Sequence, residues 1–180
     1  YYENLILEKE IVLASNAIYE DLSNDWVNNQ IIQSTIISGA QTPLNSKQGS
    51  CLIIKDNLIE PVLFGFTFQD GGGTSMKIND CGINRIKRSG GAILIFKAYP
   101  KITFNRFINN GTPQIGGGES NQMIADGGAI SHYSDEDVEF DEDRLMSNTN
   151  MNQNRIIPGT IDIQNNYFEE EYLCGDCFLV

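Results

Sequence analysis

The feature that most constrains this chain is a verbatim repeat: Gly90-Gly91-Ala92-Ile93 returns as Gly127-Gly128-Ala129-Ile130. It belongs to a series of short runs rich in Ile, Phe and Val, at 4–7, 11–14, 34–39, 51–54, 62–68, 90–96, 102–108, 127–131, 161–168 and 178–180. Gly, Asn, Asp and Ser bound these runs, which is the signature of strands separated by turns. A second pair of segments, 102–111 and 161–169, matches within a one-residue slip. Different strand types recurring in the same order predict a solenoid, in which each unit packs only on its neighbours. Asn105, Asn109, Asn110, Asn165 and Asn166 fall at the expected turns, where asparagine tolerates the left-handed conformation and can stack into amide ladders. Helical periodicity is nearly absent. Residues 16–29, with Ile18, Leu22, Trp26 and Val27 loosely on one face, read as a short helix or as a loop.

Composition narrows the partners. Acids outnumber Lys and Arg 24 to 12, for a net charge of -12. Nucleic acid is therefore excluded as a partner, because a phosphate backbone is held largely by basic side chains. The balance suits a soluble extracellular protein, or one that binds cations or neutral sugars. A polyanion would need a local basic patch or bridging metal ions against that field. No apolar run approaches the roughly 18 residues that span a bilayer. Four cysteines, Cys51, Cys81, Cys174 and Cys177, are too few for a disulfide scaffold of this size. The Cys174–Cys177 spacing matches half a zinc knuckle, but no second Cys/His pair accompanies it, so buried thiols or one disulfide are the readings carried forward.

The opening Tyr1-Tyr2-Glu3-Asn4-Leu5-Ile6-Leu7 is followed by Ser34-Thr35-Ile36-Ile37-Ser38-Gly39, then by Leu63-Phe64-Gly65-Phe66-Thr67-Phe68. Gly-Gly-Ala-Ile and Ile-Thr-x-Asn-x-Phe come next. This succession resembles the right-handed parallel β-helix of the pectate-lyase-like superfamily, where a Gly-Thr-Tyr-x-Glu-Asn stretch precedes a strand and an Ile-Ile-x-Gly strand follows. The resemblance covers nearly the whole chain apart from two insertions and implies an all-β, right-handed parallel β-helix over 1–180. Compared with that family the chain lacks capping elements. A truncated solenoid is therefore expected, associating with itself through its uncapped ends.

Two stretches read as loop insertions, about 74–89 and 133–159. Long loops in compact folds are commonly functional or disordered. The first is basic. Arg85, Lys87 and Arg88 are candidates for binding an anionic sugar, since arginine pairs bidentately with a carboxylate; the alternative is a solubilising loop. Arg85 and Lys87 are also candidate bases, because the resemblance implies lyases in which Arg or Lys removes a proton. The second stretch holds Asp135, Asp137, Asp141 and Asp143, spaced so that carboxylates could share Ca²⁺, or simply form a solvated acidic run. His132, the only histidine, is a candidate acid or base. It aligns with Ile95 between the two repeats, which favours a hydrogen-bonded structural histidine lying inward or at a corner, and Asp126 beside the repeat reads as a turn residue.

The function expected from the resemblance is a carbohydrate-associated module of a secreted or cell-surface protein, binding or acting on a polysaccharide. If catalytic, it is expected to be a lyase or epimerase, because no strand pair supplies the two facing carboxylates of a hydrolase. The competing expectation is a structural or adhesive stalk without chemistry.

Overall fold

The computed structural model describes residues 5–39, 48–55, 58–80, 83–111, 124–126, 129–133, 138–140 and 162–169. The chain is all-β, and it passes repeatedly through three parallel sheets in the same order. The first sheet is built from β1 (Leu5–Leu7), β5 (Leu52–Lys55), β10 (Ile93–Phe96) and β14 (Ile130–Tyr133). The second contains β2 (Val12–Ala14), β6 (Val62–Phe64), β11 (Lys101–Thr103) and β16 (Asp162–Gln164). The third contains β3 (Ile36–Ser38), β7 (Thr67–Gln69), β12 (Arg106–Ile108) and β17 (Tyr167–Glu169). In every sheet the strands neighbour one another in chain order, so each pass lies on the one before, an arrangement compatible with a solenoid.

The register explains the repeats. Leu5, Leu52, Ile93 and Ile130 stand level across the first sheet, so the two Gly-Gly-Ala-Ile copies are stacked neighbours. Leu13, Leu63, Ile102 and Ile163 do the same in the second sheet, and Ile37, Phe68, Phe107 and Phe168 in the third. Alternation sends these positions to one side, where the three sheets share a single apolar core. Within it the Phe68, Phe107 and Phe168 rings stack nearly parallel, with centroids 5.4 Å and 4.9 Å apart.

Between the second and third sheets the turn uses two residues on three of the four passes, the first pass running instead through residues 15–35. The first of the two turn residues adopts positive φ: Gly65 at 78°, Phe104 at 56° and Asn165 at 50°. The second turns inward. Asn105 Oδ1 accepts the Phe66 N–H, and its Nδ2 donates to the Leu63 and Thr103 carbonyls. After the third sheet, Asp70 and Asn109 are again left-handed, and Asn109 Nδ2 donates to Asp70 Oδ1 at 2.7 Å. At the corner leading back to the first sheet, a side chain on Gly71 would collide with the Gly91 carbonyl, so this close approach of coils admits only glycine.

Two expectations change. Residues 16–29 form no single helix but two 3-10 turns, Asn16–Tyr19 and Trp26–Asn28, followed by α1 (Gln30–Ser34). Ser15 and Asn29 cap the Asn16 turn and α1 by accepting backbone N–H bonds, and the apolar side packs over the outside of the second and third sheets through Ala17, Leu22 and Ile32. The stretch 74–89, expected as a loop, is an insertion but a paired one. β8 (Gly73–Asp80) and β9 (Ile83–Ser89) form an antiparallel hairpin. It is extended by β4 (Gln48–Gly49), β13 (Ile124–Asp126) and β15 (Val138–Phe140) into a fourth sheet. The reason is the outer face of the first sheet. Ile53 and Leu94 point away from the main core and need a cover, which Met76 of β8 supplies. Most of 133–159, apart from β14 and β15, lies outside the described residues.

Candidate functional site

The hairpin that carries the basic residues is fixed at its base by a hydroxyl network. Ser50 Oγ donates to the Gly90 carbonyl at 2.5 Å and shares a 2.8 Å bond with Thr74 Oγ1. Ser131 Oγ accepts the Gly90 N–H, and Ser89 Oγ lies 2.6 Å from the Tyr133 hydroxyl. The Ser89–Tyr133 and Gly90–Ser131 bonds join the fourth sheet, and the corner leading from it, to the first sheet, while Ser50 ties the corner between β4 and β5 to Thr74 of β8 and to Gly90. The base of the hairpin is thus held to the neighbouring coils by side-chain hydrogen bonds.

On β9 the backbone of Arg85 stands opposite Ile78, Lys87 opposite Met76, and Arg88 opposite Ser75. β13 pairs on the other side of β9, with Ile124 level with Lys87 and Ala125 level with Arg88. The structure thus places the three expected sugar-binding residues on one strand. Arg88 is half-buried, and its Nε donates to the Gly73 carbonyl at 3.0 Å. Its Nη2 packs so close to Gly49 that a side chain there would meet it at 3.0 Å. Burial pulls the Arg88 guanidinium below its ordinary pKa. This arginine clasps the foot of the hairpin.

His132 stands level with Ile95, Ile54 and Leu7, whose side chains belong to the main core. Its ring meets Tyr99 edge-on at 5.6 Å. Nε2 is buried without a hydrogen-bond partner among the described residues. Desolvation lowers its pKa from the ordinary histidine value, and a hydrogen bond with the Ala98 backbone works the other way. A neutral ring that faces the core has poor access to substrate. Asp126 ends β13, level with Ser89. Asp135, Asp137, Asp141 and Asp143 lie outside the described residues, among which no group of three or more His, Cys, Asp or Glu converges as metal ligands. Cys51 is a buried free thiol whose pKa burial pushes up to about 12, so it is inert as a nucleophile.

One residue escaped the sequence reading. Arg106, within the run 102–108 and not singled out among the basic residues, lies on the outer face of the third sheet beside Tyr167. A lone cation at strand parity opposite to core Phe107 was the available signal.

No family model, no curated protein and no solved structure matches the chain. Among the described residues no helix is long and apolar enough to cross a membrane.

Proposed function

We propose that the three stacked parallel sheets form a right-handed β-helix of the pectate-lyase-like kind, and that this chain is a carbohydrate-associated module of a secreted or cell-surface protein. Its role in this reading is to bind or act on a polysaccharide. The observation that carries the reading is the in-register stacking of parallel strands on one shared core. Such stacking leaves outer faces on which successive side chains repeat every strand spacing, about 4.8 Å. A polymer with its own repeat can be followed along such a surface. The acidic composition is consistent with a glycan partner and opposes nucleic acid.

A second reading, a non-catalytic structural or adhesive stalk, is favoured by a specific observation. Two of the residues with catalytic or ligand chemistry have structural surroundings: Arg88 bonds to Gly73, and His132 faces the core. The Asn105–Asn166 ladder is a purely structural device of the kind a stalk needs.

The test is a binding screen against acidic and neutral glycans, combined with a lyase assay following unsaturated product, each with and without Ca²⁺. Glycan binding supports the module reading, and product formation adds lyase chemistry to it. Calcium-dependent binding would assign the metal role to the acidic stretch containing Asp135, Asp137, Asp141 and Asp143. Failure to bind any uronan or neutral glycan leaves the stalk.

A further inference from the structure

Arg106 begins β12 with Phe107 beside it fully buried in the core, so alternation turns the arginine outward. Among the described residues its guanidinium makes no hydrogen bond and no ion pair, and Nε is buried without an acceptor. Its guanidinium carbon lies 5.9 Å from the centre of the Tyr167 ring, which is level with it on the next coil. The aromatic face holds a cation in place without using its N–H donors. On the preceding coil the equivalent residue is Thr67, which is buried and donates to the Ile32 carbonyl of α1. The segment ending in α1 therefore covers one coil, and Arg106 and Tyr167 stand half-buried at the foot of that step. Phe104, two residues earlier, meets Trp26 edge-on at 5.5 Å. Glu169, the nearest acid along β17, is exposed and level with Ile108 rather than Arg106.

We propose that Arg106 and Tyr167 form a binding subsite for an acidic sugar residue, the guanidinium taking the uronate carboxylate while Tyr167 fixes the plane of the fork. The inference rests on the carbohydrate reading above and names its ligand class. A planar carboxylate matches the parallel N–H pairs of arginine. The overall negative charge does not forbid it, since charges farther than about 10 Å are largely screened at 0.1 M salt. The segment ending in α1, which lies over the preceding coil, would bound the sugar on one side.

The experiment is a calorimetric titration with an oligogalacturonate and with a neutral galacto-oligosaccharide of equal length. Wild type is compared with Arg106→Ala, Arg106→Lys, Tyr167→Leu and Lys101→Ala, the last removing an exposed cation of the second sheet. Expected is a preference of wild type for the acidic oligomer, and a loss of about tenfold or more with Arg106→Ala, the scale of a charge-assisted hydrogen bond. Arg106→Lys, which keeps the charge but not the fork, is expected to bind at an intermediate level. Tyr167→Leu weakens binding, and Lys101→Ala leaves it unchanged. Should Arg106→Ala misfold, the Lys variant carries the test. Acidic-oligomer binding that survives both Arg106 substitutions, or equal binding of the two oligomers, overturns the subsite and leaves the carbohydrate reading standing. Absence of any glycan binding by wild type overturns both.

Discussion

Asn105 and Asn166 occupy the same turn one coil apart, and each does for the coil before it what the other does. Asn105 Oδ1 accepts the Phe66 N–H at 3.0 Å, and Asn166 Oδ1 accepts the Asn105 N–H at 3.0 Å. Each Nδ2 returns two bonds to backbone carbonyls, Leu63 and Thr103 for the first, Ile102 and Gln164 for the second. Asn105 is fully buried, and its amide satisfies backbone groups of two successive coils at that corner.

Replacing Asn105 by alanine strands the Phe66 N–H and removes the donors to two carbonyls. The expected cost is roughly 2–4 kcal/mol, since each buried group left unpaired costs about 1–3 kcal/mol. Asn166→Ala, at a half-buried position, should cost clearly less. Equilibrium urea unfolding of the two variants checks the order, and equal costs would contradict the ladder.

The aromatic column gives a similar contrast. Phe107 is fully buried between Phe68 and Phe168, whereas Phe168 is 41% exposed. Phe107→Ala is expected to lose about 3–5 kcal/mol, the usual cost of truncating a buried aromatic residue. Phe168→Ala removes one stacking face and should lose much less. Both values are read from the shift in denaturation midpoint at constant slope.

His132 makes stability depend on pH in a defined direction. Its folded pKa is depressed by desolvation, so below about 6.5, the ordinary value, the unfolded chain binds the proton more readily than the folded one. Stability is therefore full above that value and falls as pH drops through it toward the lower folded pKa. Carboxylates contribute their own acid dependence, so the readout is a difference. Thermal melts of His132→Phe between pH 7.5 and about 5 are expected to fall less steeply than those of wild type. Parallel curves would mean that the ring is solvated in the folded state.

Much of this fold was legible in the sequence, because its strands repeat composition as well as shape. The Gly-Gly-Ala-Ile copies match in register, Ile93 on Ile130, and the second repeat resolves to Ile102 on Ile163 and Phe107 on Phe168. The asparagine turns carried their own chemistry, with Asn109 and Asn165 at positive φ. The hairpin was not legible. Thr74-Ser75-Met76-Lys77-Ile78 mixes polar and apolar residues, because one part of it covers the first sheet and another meets solvent, and its partner strand is rich in Arg and Lys. Phe104 at φ 56° was also hidden, since an aromatic residue there is held by Trp26 and Phe64 from elsewhere in the chain. The candidate residues were readable as types, but whether a cation faces a ligand or, like Arg88, a backbone carbonyl depends on contacts between distant segments.

The edge formed by β1, β2 and β3 carries Leu5, Ile6, Val12 and Ile36 exposed, with Val12 at 62%. Exposed strand edges recruit other strands. Concentration-dependent association is expected in sedimentation velocity, and Val12→Lys with Ile36→Lys should suppress it. A monomer at every concentration would contradict association through this edge.

The parallel stacking of one coil on the next underlies every proposal above, and it can be measured directly. Val12 and Lys101 are exposed and lie in the second sheet with only Val62 between them. Spin labels at these two positions, in a background with Cys81, Cys174 and Cys177 changed to serine, leave the inert Cys51 in place. Two strand spacings put the labelled backbones about 10 Å apart, so strong dipolar broadening is expected in the continuous-wave spectrum. A spectrum without broadening, with the labels beyond about 20 Å, would break the stack at its centre.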